Sequence, residues 1–127
     1  MFREIKYAYQ RITRGYSDRD CWDIDHFLST IIPPMVRKLK IGSGCPSNVF
    51  DKEAKNNECH KWYDILEEIA QGFEACEAIK SGKASEWIST ESGGLRHEFN
   101  EEKNKQLTIK YERSMELFAK HFMGLWD

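Results

Sequence analysis

The sequence predicts an all-α fold: a single-domain helical bundle of three main helices plus a short N-terminal helix, covering residues 1–127. Three observations carry that prediction. Apolar residues recur at three- and four-residue intervals in three long segments, as one buried helical face requires. Capping and breaking residues flank those segments. Hydrophobic residues make up 40% of the 127 and charged residues 31%, with only three prolines, a balance that suits one packed domain rather than a disordered chain.

At the amino terminus Phe2, Ile5, Tyr9 and Ile12 have the spacing of a short helix. Arg3, Lys6, Arg11, Arg14 and Arg19 interleave there with Tyr7, Tyr9 and Tyr16. A phosphate-tracking face with stacking aromatics has this composition. So does an amphipathic helix packed by its tyrosines with its arginines in solvent, which is the favoured reading. Gly15 breaks the segment, and Ser17-Asp18-Arg19-Asp20 then has the spacing of a capping box, with Asp in place of the usual Glu. The first long helix is therefore expected to begin there. It carries Cys21, Ile24, Leu28, Ile31 or Ile32, Met35 and Leu39 on one face.

Pro33 and Pro34 interrupt that helix. They remove the amide donors for the carbonyls of Ser29 and Thr30, at about 3 kcal/mol each in a helix interior. The helix is expected to be kinked or broken at this pair while remaining one arm. Residues 41–58 read as a long loop, opening with Gly42-Ser43-Gly44-Cys45-Pro46. Trp62, Ile65, Leu66, Ile69, Phe73, Cys76 and Ile79 mark the second helix, which Ser81-Gly82 ends. Residues 83–100 read as a poorly periodic connection with one helical turn over 84–89. The last helix runs from Glu101 to Gly124 with Leu107, Tyr111, Ser114 or Met115, Phe118, Phe122 and Leu125 on its apolar face. Past Gly124 the chain is expected to turn and lay Trp126 against the body, so that truncating it would cost about 3–5 kcal/mol.

The formal net charge of −2 disfavours a nucleic-acid binder. No stretch approaches the ~20 apolar residues of a membrane span, and charges stand where a signal peptide needs its apolar region. A cytoplasmic protein with its four cysteines as thiols is expected. Cys45, Cys59, His60, His26 and Cys76 are suitable zinc ligands, but none forms a closely spaced pair of the zinc-finger kind. Cys21 and Cys76 fall on apolar stripes, as small buried hydrophobes do. Asp64, Glu67, Glu68, Glu74 and Glu77 read as a solvated acidic face. Neither a nucleophile elbow nor a phosphate-binding glycine loop is present, so no metal, cofactor or catalytic residue is expected.

Two binding readings remain. Trp22 and Trp126 are candidate partner-binding residues, because tryptophan is enriched at interaction hot spots. Arg14, Arg19, Asp25 and His26 cluster near the start of the first long helix, where a helix dipole and arginine donors could meet a small anionic ligand such as a nucleotide.

Arg14-Gly15-Tyr16-Ser17-Asp18-Arg19-Asp20-Cys21-Trp22-Asp23-Ile24-Asp25 resembles the opening of a group of small proteins encoded by tailed bacteriophages, in which such a run leads an apolar helix. The likeness continues over Trp62 to Glu74, through Leu117-Phe118-Ala119-Lys120-His121-Phe122, and in Leu125-Trp126-Asp127. The resemblance implies a phage or prophage origin and little chemistry. A small helical protein of that kind is expected to act in the host cytoplasm without catalysis, through a protein partner, including a defence component, or by self-association. Sequestration of a small signalling ligand is the alternative. No membrane is expected to be involved.

Overall fold

A computed structural model describes residues 1–41 and 60–126. Four helices account for most of them: α1 (Phe2–Arg14), α2 (Ile24–Leu39), α3 (His60–Lys80) and α4 (Glu101–His121). Two short strands, β1 (Ser85–Ser89) and β2 (Leu95–Phe99), form an antiparallel hairpin between α3 and α4. The fold is thus mostly helical but not all-α.

α3 is the central element, and α2 and α4 both pack on it. Its buried residues Trp62, Leu66, Ile69, Ala70 and Phe73 form one cluster with Val36 of α2 and Leu117 of α4. Of the apolar stripe expected on α3, Trp62, Leu66, Ile69 and Phe73 are buried and Ile65, Cys76 and Ile79 half-buried. Ala70, Gly72 and Ala75 are also buried where the helices come close. Closest is the crossing of Gly72 with Ser114. A Cβ on Gly72 would stand 1.8 Å from the Ser114 Cβ. The Ser114 hydroxyl, buried there, donates to the Ile69 carbonyl at 2.9 Å. A left-handed Gly82, with the Lys83 amide donating to the Ala78 carbonyl at 3.0 Å, closes the end of α3 as expected.

Ionic contacts run along the α2–α3 seam. Arg37 pairs with Glu67 at 3.0 Å and also with Glu74, while Lys40 pairs with Glu67. At the other end Lys80 contacts Asp23 and Asp25 at 2.6 and 2.5 Å. The expected solvated acidic face is in part a charge seam between helices. These pairings make α2 and α3 antiparallel, and Glu68–Arg113 and Trp62–His121 do the same for α3 and α4. The start of α2, the end of α3, the hairpin and the start of α4 therefore share one end of the molecule.

Several expectations are corrected. The first long helix does not start at Ser17 but at Ile24, after a single tight turn over Asp20–Trp22. Of the two readings of Pro33 and Pro34 only the break is overturned: both prolines lie inside α2, which continues through them as one arm, with Pro33 buried and Val36 in the core. Cys21 is exposed rather than buried. The connection after Gly82 is a hairpin, not a helical turn. Its alternation of Leu95, His97 and Phe99 with Arg96 and Glu98 is a strand signal, and its Thr90–Gly94 loop closes around a left-handed Gly93. Trp126 is 76% exposed and does not pack on the body. The tight turn over Phe122–Gly124 leads the chain outward, with only Leu125 joining the core margin. The expected loop at 41–58, apart from Ile41, and the roles of Cys45, Cys59 and Asp127 lie outside the described residues.

Candidate functional site

The start of the chain is fastened to the body by a cap. The Ser17 amide and hydroxyl donate to the Asp20 carboxylate at 2.8 and 2.9 Å, and the Asp20 amide donates back to the Ser17 hydroxyl at 3.3 Å. The capping box read from the sequence is therefore real. Its carboxylate is shared, however, with Arg11 of α1, whose Nε and Nη2 donate at 3.0 and 2.5 Å. The Arg11 guanidinium holds the Asp20 carboxyl well below the usual carboxylate range. The cap thus ties α1 to the turn instead of opening a long helix. Beside it, Gln10 donates to Asp18 and accepts from the Asp18 amide, at 2.8 and 2.9 Å. Gln10, then Arg14 and Lys6, lower the Asp18 carboxyl to about 2.

These contacts leave α1 two unlike faces. Toward the body, Tyr7 is buried and meets Trp22 edge-on at 6.2 Å between ring centroids. One half-turn around the helix, Phe2, Ile5, Tyr9 and Ile12 face solvent, with Phe2 85% and Ile12 84% exposed. The expected packing by tyrosines holds for Tyr7 and fails for Tyr9 and Tyr16, which are exposed. Nor are the arginines simply in solvent. Arg11 and Arg14 pair with Asp20 and Asp18, Lys6 approaches Asp18 at 3.3 Å, and Arg19 approaches Glu4 at 3.5 Å.

A cleft of about 360 Å³ opens where α1, the tight turn and α2 meet, lined by Arg11, Arg19, Asp20, Trp22 and His26 among others. Two of the four ligand-binding candidates, Arg19 and His26, reach it. Arg14 does not; it lies over the Tyr16 ring, 4.5 Å from its centroid. Asp25 is engaged with Lys80, and His26 is held by Glu77 at 2.8 Å between Nδ1 and Oε1. The cleft thus offers an anion two arginines that already face Asp20 and Glu4.

Trp22 is 72% exposed at the rim of this cleft. Trp126, the other partner-binding candidate, stands past the end of α4 at the opposite end of the molecule, so the two cannot serve one compact surface. A wider groove of about 410 Å³ between α3 and α4 is lined by Glu68, Gln71, Ile109, Lys110 and Arg113. Among the described residues, no group of three or more His, Cys, Asp or Glu side chains converges to hold a metal ion, and no helix is long and apolar enough to cross a membrane. The feature that sequence reasoning missed is the exposure of the α1 stripe. Its spacing was visible, but spacing says that a face is apolar and not what covers it. Neither a family model, a curated protein nor a solved structure matches the chain.

Proposed function

We propose that this is a small helical interaction protein without catalysis, of the phage type its sequence resembles, and that it acts in the host cytoplasm by binding a protein. The observation that supports this most is the solvent-facing stripe of Phe2, Ile5, Tyr9 and Ile12 on a helix held by its other face. A helix with a four-residue apolar seam on its free side presents the anchors of helix-in-groove recognition. The stripe itself carries no charged side chain, and Lys6, Arg11 and Arg14 of the same helix are engaged by the two carboxylates of Asp18 and Asp20. That arrangement favours an apolar groove or helix on a partner over a phosphate backbone. Trp22, beside Tyr7 on the other side of α1, is a separate exposed aromatic and not a part of this stripe.

The test compares the chain with its Ile5→Glu/Ile12→Glu variant in affinity capture from bacterial lysate. A stoichiometric protein held by the first, lost by the second and kept by Trp126→Ala supports the reading. A partner retained by all three places binding elsewhere. The anionic-ligand alternative is the weaker one, because Arg11 and Arg19 already face carboxylates of the chain itself. Thermal-shift screening with nucleotides decides it: a ligand at 100 times its dissociation constant would stabilise by about 2.7 kcal/mol.

A further inference from the structure

The hairpin offers a second surface, independent of α1. Its ladder fixes which backbone groups are used. The Asn100 amide donates to the Ala84 carbonyl at 2.7 Å at one end, and the Thr90 amide to the Gly94 carbonyl at 2.8 Å at the other. Antiparallel pairs alternate between bonded and non-bonded, so with 84–100 and 90–94 bonded, 86–98 and 88–96 are bonded as well. The amides and carbonyls of Leu95, His97 and Phe99 then point away from β1. All of β2 is exposed, and among the described residues the sheet has only these two strands. A lone two-stranded hairpin is marginal in water.

The residues on that free edge are complementary to themselves. Reversed about His97, the segment Leu95-Arg96-His97-Glu98-Phe99 sets Arg96 opposite Glu98 and Leu95 opposite Phe99. Reversal of β1 about Trp87 would set Glu86 opposite Ile88 and has no such match. In the β2 register, 97–97 and both 95–99 pairs use the outward-pointing amides, while both 96–98 pairs fall at non-bonded positions, where side chains come closest. Within one chain Glu98 stands opposite Glu86 and Arg96 opposite Ile88 in register. Arg96 and Glu98 approach each other only along the strand, at an exposed 3.4 Å contact that a second copy would replace with two pairs across the ladder. Trp87, 69% exposed and 4.9 Å from the His97 ring, lies on the same face as Leu95 and Phe99.

We infer that β2 is a self-recognition edge: two copies of this chain pair β2 against β2, antiparallel and centred on His97, into a four-stranded sheet. The contact is isologous, so it closes as a dimer. Each chain supplies the acceptor for the other's donor, and Arg96 of each meets Glu98 of the other. The apolar face gains Leu95–Phe99 contacts across the two-fold axis.

Sedimentation analysis of the full chain tests this, loaded at up to roughly 100 µM to cover a small interface of micromolar affinity. The expected result is a concentration-dependent dimer. Arg96→Glu should weaken it roughly tenfold or more by placing like charges opposite each other twice, and Arg96→Glu/Glu98→Arg should restore it. His97→Pro removes a donor that the hairpin itself does not use, so it should abolish the dimer while leaving the helical circular dichroism unchanged. A chain monomeric throughout that range overturns the proposal. So does a dimer indifferent to both Arg96→Glu and His97→Pro, or one abolished by Ile5→Glu/Ile12→Glu alone, which would put the contact on α1.

Discussion

Trp62 and Trp22 stand in comparable sequence settings, each followed within a few positions by a regular apolar stripe. Trp62 is 2% exposed, enclosed by α4 and edge-on to the buried His121 at 5.7 Å. Trp22 stands in solvent. The same contrast separates the whole three-helix body from the two elements appended at one end. In α2–α4 apolar faces find one another across helix pairs, although Ile24, Leu28 and Met35 of the face expected for α2 are exposed and Ser29, Pro33 and Val36 are buried instead. In α1 and the hairpin they do not, although α1 has as regular a stripe as any helix in the chain. What differs is the number of neighbours. α3 has a helix on two sides, whereas α1 is held through Tyr7 and a polar cluster of Gln10, Arg11, Asp18 and Asp20. Burial of apolar area stabilises the body; hydrogen bonds and ion pairs fasten α1. Apolar surface left in solvent on both appendages is available to partners.

The contrast is sharpened most by removing a core side chain. Leu66→Ala, at a fully buried position, should cost about 2–5 kcal/mol and lower the melting temperature steeply. A loss below 1 kcal/mol would mean that α3 is not the centre of the core. Next is Gly72→Ala, which forces a methyl group into Ser114 and should cost about 1–3 kcal/mol. Adding Ser114→Gly removes the atoms it strikes, so the double variant should be less destabilised than the two single losses combined. Strict additivity would argue against the close crossing.

A smaller effect is expected from the charge seam. Arg37 and then Lys40 lower the Glu67 carboxyl from 4.5 to about 2. A carboxyl held lower in the folded state contributes stability above its ordinary value and loses it as the pH falls toward the folded value. Denaturation followed between pH 4.5 and 2 should therefore show a steeper fall for the natural chain than for Glu67→Gln. The difference should reach no more than about 1 kcal/mol, since both partners are partly in solvent. The smallest effects belong to the appended elements and the chain end. Ile12→Ser and Trp126→Ala should each shift stability by no more than about 0.5 kcal/mol. If either costs as much as Leu66→Ala, that side chain is part of a core, and the division drawn between body and appendages breaks down.

Local signals were legible where a residue's own neighbours in the chain decide the outcome. Periodicity located α1, α3 and α4 to within a few residues. Gly15 and Gly82 ended their helices, and Ser17 and Asp20 made the reciprocal bonds their spacing implied. The hairpin was legible too, in the alternation of β2 and the Thr90–Gly94 loop, but a helical reading of 84–89 obscured it. Of the candidate ligand residues, Arg19 and His26 were brought to one cleft, while Arg14 and Asp25 were drawn to other partners.

Chemistry along the chain determined which faces are apolar, where helices stop and which residues cap them. Those are effects of range four or less, set by backbone geometry and side-chain type. Tertiary structure alone decided which apolar faces are covered. Arg11 reached across nine residues to share the carboxylate of Asp20, and α2 begins only after that turn, at Ile24. Gly72 met Ser114 across forty-two positions and brought α4 onto α3. Among the described residues nothing covers Trp126 or the α1 stripe. Burial depends on what arrives from elsewhere in the chain, and a periodic pattern holds no record of its partner.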